Sequence, residues 1–103
     1  MAIVEYVRPL GERARIRHHH ETRRGKLMAF VVQLEIELGG AWTPLVRYDT
    51  AHGRAHMDLY ATPTRKTKQP LDLSPAEAMT LAEEDIKENW ERYQQEFLRR
   101  NTQ

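Results

Sequence analysis

The densest group of titratable side chains in the sequence lies between residues 48 and 58, which carry two His, two Asp, one Arg and one Gly. The segments on either side alternate apolar and polar residues, so we expect this stretch to connect two strands of a hairpin. A histidine can both accept and donate a proton near neutral pH, and a carboxylate beside it completes what general acid–base catalysis needs. The candidate catalytic residues are therefore His52, His56 and Asp49.

The same hairpin also has a purely structural interpretation. Asp49 can bond to the turn backbone through its side chain, and Gly53 can adopt the positive φ that a turn requires. The two histidines can likewise bond to backbone groups. Turn structure and a catalytic site are both compatible with this stretch of sequence.

A second group of histidines, His18-His19-His20, lies within a segment that alternates like a strand. His18 and His20 would share one face of that strand, with His19 on the other. If the strand lies beside the hairpin end, imidazoles and carboxylates would meet as ligands for a divalent cation such as zinc. The candidate metal ligands are His18, His20, His52, His56 and Asp58. The alternative is a solvated basic face that binds no cofactor.

Arginines form the third group, because a guanidinium can hold a phosphate through one or two hydrogen bonds. Residues 1–70 carry 12 Lys/Arg and 7 Asp/Glu, whereas residues 71–103 carry 4 and 8, so a basic half precedes an acidic one. The candidate phosphate-binding residues are Arg15, Arg17, Arg47 and Arg54. The alternative is that the arginines pair with Glu35, Glu37 and the acidic C-terminal segment.

Composition narrows the class of protein. The chain has 103 residues, which is the size of one domain, and it contains no Cys. It therefore has no disulfide framework, Cys-ligated zinc site or thiol nucleophile. No apolar run approaches the roughly 20 residues of a membrane-spanning helix, and the first residues lack the pattern of a signal peptide. These features predict a cytoplasmic protein that does not bind a membrane.

The elements that must position these residues are predicted from hydrophobic periodicity. Apolar and polar side chains alternate through residues 26–38, which is typical of an antiparallel strand with one buried face. Similar segments at 12–24, 41–48 and 54–61 predict a β-meander of about four strands. Residues 62–70 are polar and bounded by prolines, and we expect a surface loop there. Residues 1–11 would form an N-terminal arm or an edge strand outside the main domain at 12–103.

A long C-terminal helix follows the strands. Ser74, Pro75 and Glu77 form a capping box with proline at the first helical position. The apolar residues that follow are spaced by three and four and would face the sheet: Met79, Ala82, Ile86, Trp90, Tyr93 and Phe97. Glu83 and Lys87 would form an i,i+4 pair on the solvent side. The order β-β-β-β-α predicts an α+β fold with the helix on one face of an antiparallel sheet.

Four runs of the sequence resemble an uncharacterised family of small prokaryotic domains: Arg17 to Gly25, Phe30 to Glu35, Val46 to Gly53 and Glu84 to Glu91. The resemblance covers nearly all of the chain from about residue 12. It implies no activity, because the family has none assigned.

The hairpin from Arg47 to His56 also resembles the corresponding hairpin of TumE-type proteins, which are small toxin–antitoxin components with a helix after a β-meander. This chain has Thr50 where Asn is usual in that hairpin. The resemblance implies site positions at Asp49, His52 and His56.

Three functions are therefore compatible with the sequence. The first is an RNA-directed, toxin–antitoxin-like component, in which His52 or His56 moves a proton and arginines hold phosphate. The second is a non-enzymatic module that forms a homodimer or binds a partner protein through the uncovered sheet face and the end of the helix. The third is a His/Asp metal-binding protein.

Overall fold

The computed structural model describes residues 1–50 and 53–101, and it folds them into six strands followed by one helix. The elements are β1 (Ala2–Gly11), β2 (Ala14–Arg23), β3 (Lys26–Leu38), β4 (Ala41–Asp49), β5 (His56–Thr62), β6 (Arg65–Pro70) and α1 (Pro75–Asn101). The strands form one antiparallel sheet in chain order, and α1 packs on one of its faces. The predicted α+β class, an antiparallel meander followed by a long helix, is confirmed.

The sheet has six strands where the sequence predicts about four. Residues 65–70, which we expected to belong to a surface loop, form β6 and pair with β5. All six residues of β6 are exposed, so this strand has no buried face that would produce alternation. The first residues form the edge strand β1, which pairs with β2. The sequence had left an arm and an edge strand as alternatives.

One face of the sheet is buried beneath α1. The fully buried side chains of β3 occupy alternate positions and consist of Phe30, Val32, Leu34 and Ile36. The buried residues of α1 are Ala78, Ala82, Ile86 and Phe97. Met79, Trp90 and Tyr93 are partly buried at the margin of this core. The predicted apolar stripe of the helix therefore faces the sheet, because a stripe with helical spacing is buried only against an apolar face.

Polar contacts fix the middle of α1 to the sheet. One oxygen of Asp85 accepts hydrogen bonds from the hydroxyls of Tyr48 and Tyr93, each at 2.7 Å. Its other oxygen accepts from the side-chain amide of Asn89 at 2.8 Å. Burial, together with the bond to Asp85, raises the pKa of Tyr93 to about 12, so this hydroxyl remains a donor. The helix therefore covers β4, and the hydrogen bond between Tyr48 and Asp85 also fixes its position along that strand.

The start of α1 is the predicted capping box. The Ser74 hydroxyl accepts a hydrogen bond from the Glu77 backbone N–H at 3.2 Å. The Glu77 carboxylate accepts one from the Ser74 N–H at 3.1 Å. Two backbone donors that the first turn leaves without partners are satisfied in this way.

The strand β4 contains an irregularity that changes which face its residues occupy. The register with β3 shifts next to Pro44, which leaves Leu45 as an extra residue. Pro44 has no N–H for the ladder, which suits it to a bulge. Strict alternation along this strand would place Trp42 on the same face as Tyr48. Trp42 pairs with Glu37 on the face opposite α1 because the extra residue reverses the alternation.

The position of Glu83 also differs from the one that the sequence predicts. The sequence places it on the solvent side of the helix, in a pair with Lys87. The Lys87 pair forms at 3.6 Å, but the Glu83 carboxylate also accepts from the Tyr6 hydroxyl at 3.1 Å and from Arg8 at 3.0 Å. It turns towards the sheet because β1 extends the sheet beneath this part of α1.

Candidate functional site

The face of the sheet opposite α1, called the open face below, carries a row of polar side chains from neighbouring strands. Arg17 of β2 lies opposite Gln33 of β3, which lies opposite Arg47 of β4. Asp58 of β5 continues the row. Neighbouring strands are about 4.8 Å apart, so the backbones at Arg17 and Arg47 lie roughly 10 Å apart with Gln33 between them. Two of the predicted phosphate-binding arginines are therefore brought together.

A buried carboxylate holds Arg17 in place. Glu35 is 5% exposed and accepts from Nε of Arg15 at 2.7 Å and from Nε of Arg17 at 3.1 Å. It also accepts from the amide of Gln33 at 2.6 Å. Burial raises the pKa of the Glu35 carboxyl, but these three hydrogen bonds outweigh burial and the pKa is lowered overall. Glu35 therefore stays ionised and orients both guanidinium groups.

Arg47 is held in the same manner. Its Nε donates to Asp49 at 2.7 Å, and its Nη1 lies 3.4 Å from the side-chain oxygen of Gln33. The side chain of Arg47 is 36% exposed and that of Arg17 is 49% exposed. Each arginine uses Nε for a buried carboxylate, which leaves part of the guanidinium at the surface. Such a tethered guanidinium is ready to donate to a second, external anion.

A shallow groove of about 500 Å³ runs over the open face between these two arginines. Its lining includes Glu5, Val7, Arg17, His19, Val31 and Arg47. A second groove of about 280 Å³ shares His19, Val31 and Arg47 with the first and continues towards Asp49 and Thr50. The two grooves together have an apolar floor at Val31. Cations and carboxylates alternate around that floor: Arg17, His19, Arg47, Glu5, Glu21 and Asp49.

His19 lies at the junction of the two grooves. Its Nδ1 is 3.0 Å from Glu5 and its Nε2 is 3.0 Å from Glu21. The hydrogen bond with Glu21 raises the pKa of His19, and together with the bond to Glu5 it outweighs the opposing effect of desolvation. The imidazole can bond to both carboxylates only when both nitrogens carry hydrogen. His19 is thereby favoured as a third cation of the groove.

Two of the predicted catalytic residues, Asp49 and His56, lie on the open face beside this groove. His56 of β5 is opposite Asp49 of β4 and Asp58 is opposite Arg47, so the four side chains form a block on the open face. His52 lies outside the described residues. The structure therefore brings Asp49 and His56 onto neighbouring strands, as a hairpin requires.

Two atoms of this block are buried within the described structure with no hydrogen-bond partner, namely Nδ1 of His56 and Oδ1 of Asp58. The other carboxylate oxygen of Asp58 accepts from Lys66 at 3.0 Å. A buried polar atom without a partner costs about 1–3 kcal/mol. These atoms mark a position where an additional donor or acceptor would be stabilised.

The four predicted metal ligands that the structure describes, His18, His20, His56 and Asp58, do not converge. His18 and His20 point to the face covered by α1, where Nδ1 of His18 lies 2.6 Å from Glu83 and Nε2 lies 2.7 Å from His20. His56 and Asp58 lie on the open face, because they are opposite Asp49 and Arg47 in the sheet. His18 is opposite Val32, which is buried beneath α1, so His18 lies on the other face. Within residues 1–50 and 53–101, no group of three or more His, Asp or Glu side chains is arranged to hold a metal ion.

The other two predicted phosphate-binding arginines lie outside the pair. Arg15 stacks on the ring of Trp42, with 3.9 Å from its guanidinium carbon to the ring centre, in addition to its bond with Glu35. Arg54 lines a separate depression of about 470 Å³ together with Gly53 and Leu71. The structure therefore separates Arg54 from the groove that Arg17 and Arg47 share.

A family model described as a domain of unknown function, DUF7718, covers residues 1–103. The chain belongs to this family. Neither a curated protein nor a solved structure matches the chain.

The family assignment agrees with the expected resemblance to an uncharacterised group of small domains, and its description names no activity. The helix of the described residues is not apolar enough to cross a membrane. The chemistry of the site is therefore the basis for any function.

Sequence reasoning missed two residues of the site, His19 and Gln33. It named Glu35 only as an alternative partner of the arginines, and that pairing forms with Arg15 and Arg17. The sequence predicted that His19 lies on the opposite face from His18 and His20. Its partner Glu5 could not be recognised, because that contact depends on the pairing of β1 with β2. One signal in the sequence could have identified these contacts. Gln33 and Glu35 alternate along β3 just as Arg17 and Arg15 alternate along β2, and polar residues that face arginines across a strand pair predict hydrogen bonds.

Proposed function

We propose that this protein binds a phosphodiester chain, in the first place single-stranded RNA, across the open face of its sheet. The observation that carries the proposal is the pair of guanidinium groups of Arg17 and Arg47, each tied by a carboxylate and partly exposed on either side of Gln33. The resemblance of the hairpin to TumE-type components is a second, weaker line of support for an RNA-directed role.

The mechanism of binding follows from preorganisation. A free arginine loses side-chain entropy when it binds a phosphate, whereas Arg17 and Arg47 have already lost much of theirs to Glu35 and Asp49. Their spacing of roughly 10 Å over two strands lets one chain contact both guanidinium groups. His19 adds positive charge beside Arg17 on β2, and its cross-strand neighbour Val31 gives the groove an apolar floor. The flat face of a base can lie on that floor while the edge of the base, which carries its hydrogen-bonding groups, stays in water.

The test is binding of a labelled single-stranded RNA, followed by fluorescence anisotropy over a range of salt concentrations. Arg17→Gln combined with Arg47→Gln is expected to weaken binding at least about tenfold, since a hydrogen bond to a charged group contributes about 1.5–3 kcal/mol. The logarithmic slope of affinity against salt should fall by about 0.7 for each phosphate that the variant no longer neutralises.

Arg92→Gln is the matched control, because Arg92 is an equally charged, 55% exposed residue on α1. It should bind RNA like the unmodified protein. An affinity that falls equally in the control and the double variant, or no binding at low salt, would contradict the proposal. Circular dichroism of each variant separates loss of binding from loss of fold.

Catalysis on the bound chain is a separate part of the proposal, assigned to His56 and Asp49 together with His52. His56→Gln is expected to abolish cleavage of the RNA while leaving its affinity nearly unchanged. If the unmodified protein binds RNA without cleaving it, the function is binding alone.

A further inference from the structure

The two edges of the sheet differ in a way that bears on assembly. An edge strand presents backbone N–H and C=O groups that the sheet itself does not use, and proteins protect such edges with short strands, charged side chains or proline. The edge at β6 is protected in all three ways: it has six residues and carries Arg65, Lys66, Lys68 and Pro70. The edge at β1 has ten residues and is mostly apolar: Glu5 and Arg8 are its two charged residues, and Pro9 lies close to its C-terminal end.

The apolar side chains of β1 are exposed on both sides of this edge. Ile3 is 56% exposed and Val7 is 46% exposed, and both lie on the open face. Val4 and Tyr6 are 40% and 38% exposed and lie on the face of α1. Any strand added beside β1 would therefore cover apolar surface above and below its hydrogen bonds.

The charges on β1 do not oppose association of this edge with a copy of itself. Glu5 pairs with His19 at 3.0 Å and Arg8 pairs with Glu83 at 3.0 Å, so each charge already has an opposite charge within the same chain. When a second strand covers this edge, Glu5 and Arg8 of β1 both keep a partner of opposite charge. The main cost of burying such an edge, which is an unpaired charge, is therefore avoided. Two β6 strands, by contrast, would bring three cations of each copy together.

We infer that two copies of this chain associate through β1, antiparallel about a two-fold axis, to form one continuous sheet. The symmetric pairing uses the same surface on both copies and closes the assembly at two chains. The protected β6 strands then become the outer edges, which prevents further growth. The sequence predicted a homodimer or a partner protein bound through the open face and the helix end. This interface instead uses the β1 edge and leaves the centre of the open face and the end of α1 uncovered.

The inference does not rest on RNA binding, although the two sites are neighbours. Glu5 and Val7 of β1 line the groove of the open face. The second copy would therefore lie at the end of that groove. Mass and cross-linking measurements test the dimer without any ligand.

The first experiment is the mass of the full chain in solution, measured by sedimentation equilibrium over a range of concentrations. We expect twice the chain mass of 12.1 kDa. Ile3→Lys combined with Val7→Lys should weaken the dimer by at least tenfold in Kd. Leu81→Lys and Met28→Lys replace residues of similar exposure elsewhere on the surface, and they should leave the dimer intact.

The second experiment uses the absence of native Cys. Single cysteines introduced along β1, from Ile3 to Val7, should form a disulfide between copies most rapidly at the position nearest the two-fold axis. Thr67→Cys on β6 is the control and should not cross-link. A monomer at all concentrations, a dimer that survives the lysine pair, or stronger cross-linking at Thr67 would each overturn the inference.

Discussion

At the scale of single residues, Glu35 organises the open face. This one carboxylate accepts hydrogen bonds from Arg15, Arg17 and Gln33 while it is almost fully buried. A buried anion needs such partners, since burying an ionised carboxylate alone is far more costly than burying an apolar group. The groove therefore depends on a residue that a ligand need not touch.

Replacing Glu35 by Gln keeps the size of the side chain and removes the charge. We expect Glu35→Gln to lower the free energy of unfolding by about 1–3 kcal/mol, because two guanidinium groups lose their anionic acceptor. Urea denaturation measures this loss. RNA affinity should fall as well, because Arg17 would no longer be held in place.

Glu88→Gln is the control for that change. Glu88 is an exposed residue of α1, and neutralising it alters the net charge of the protein by the same amount. A loss of stability and affinity as large as that of Glu35→Gln would show that net charge, rather than the anchoring of the arginines, is responsible.

At the scale of elements, α1 and the sheet approach each other closely where β1 ends. A Cβ added to Gly11 would lie 2.9 Å from Cη2 of Trp90. Trp90 is partly buried against the core, so its ring cannot move away without giving up that packing. The glycine therefore sets how near the C-terminal half of α1 approaches the first hairpin.

Gly11→Ala is expected to destabilise the protein by about 1–3 kcal/mol through this overlap. Thermal or urea denaturation gives the size of the effect. In a Trp90→Leu background the same substitution should cost much less, because the smaller side chain leaves room for the methyl group. An equal cost in both backgrounds would mean that the overlap with Trp90 is not the cause.

At the scale of the whole molecule, ionised pairs on both sides of the sheet make stability depend on pH. The pKa of Glu83 is raised by burial but lowered overall by its hydrogen bonds from His18 and Tyr6, and the pKa of Glu35 is also lowered overall. A carboxylate with a lowered pKa contributes stability above its unfolded value of about 4.3 and loses that contribution as pH falls through the folded value. His19 has the opposite sign, because its pKa is raised.

The free energy of unfolding should therefore decline below about pH 4, and the decline should be smaller in Glu35→Gln. The stabilisation by His19 is complete below its unfolded pKa of about 6.5 and is lost as pH rises through the higher folded value. His19→Gln should remove that second decline. Urea denaturation from about pH 3 to about pH 9 covers both ranges, and a variant curve parallel to the unmodified one would contradict the assignment.

The sequence by itself determined the elements with a strong period or a specific local signal. Residues 26–38 alternate because one face of β3 is buried, and the helix begins at the capping box of Ser74 and Glu77, whose bonds are local. Proximity in sequence also placed Asp49 near His56. Local chemistry of this kind can be recognised without knowledge of the fold.

Only the tertiary structure decided which polar residues meet. The bulge at Leu45 reversed the face of Trp42, and the pairing of β1 with β2 placed Glu5 beside His19 and Arg8 beside Glu83. It also separated His18 and His20 from His56, since the two sets occupy opposite faces of the sheet. Strand order and register are set by contacts between residues far apart in the chain, and a shift of one residue reverses every side chain that follows.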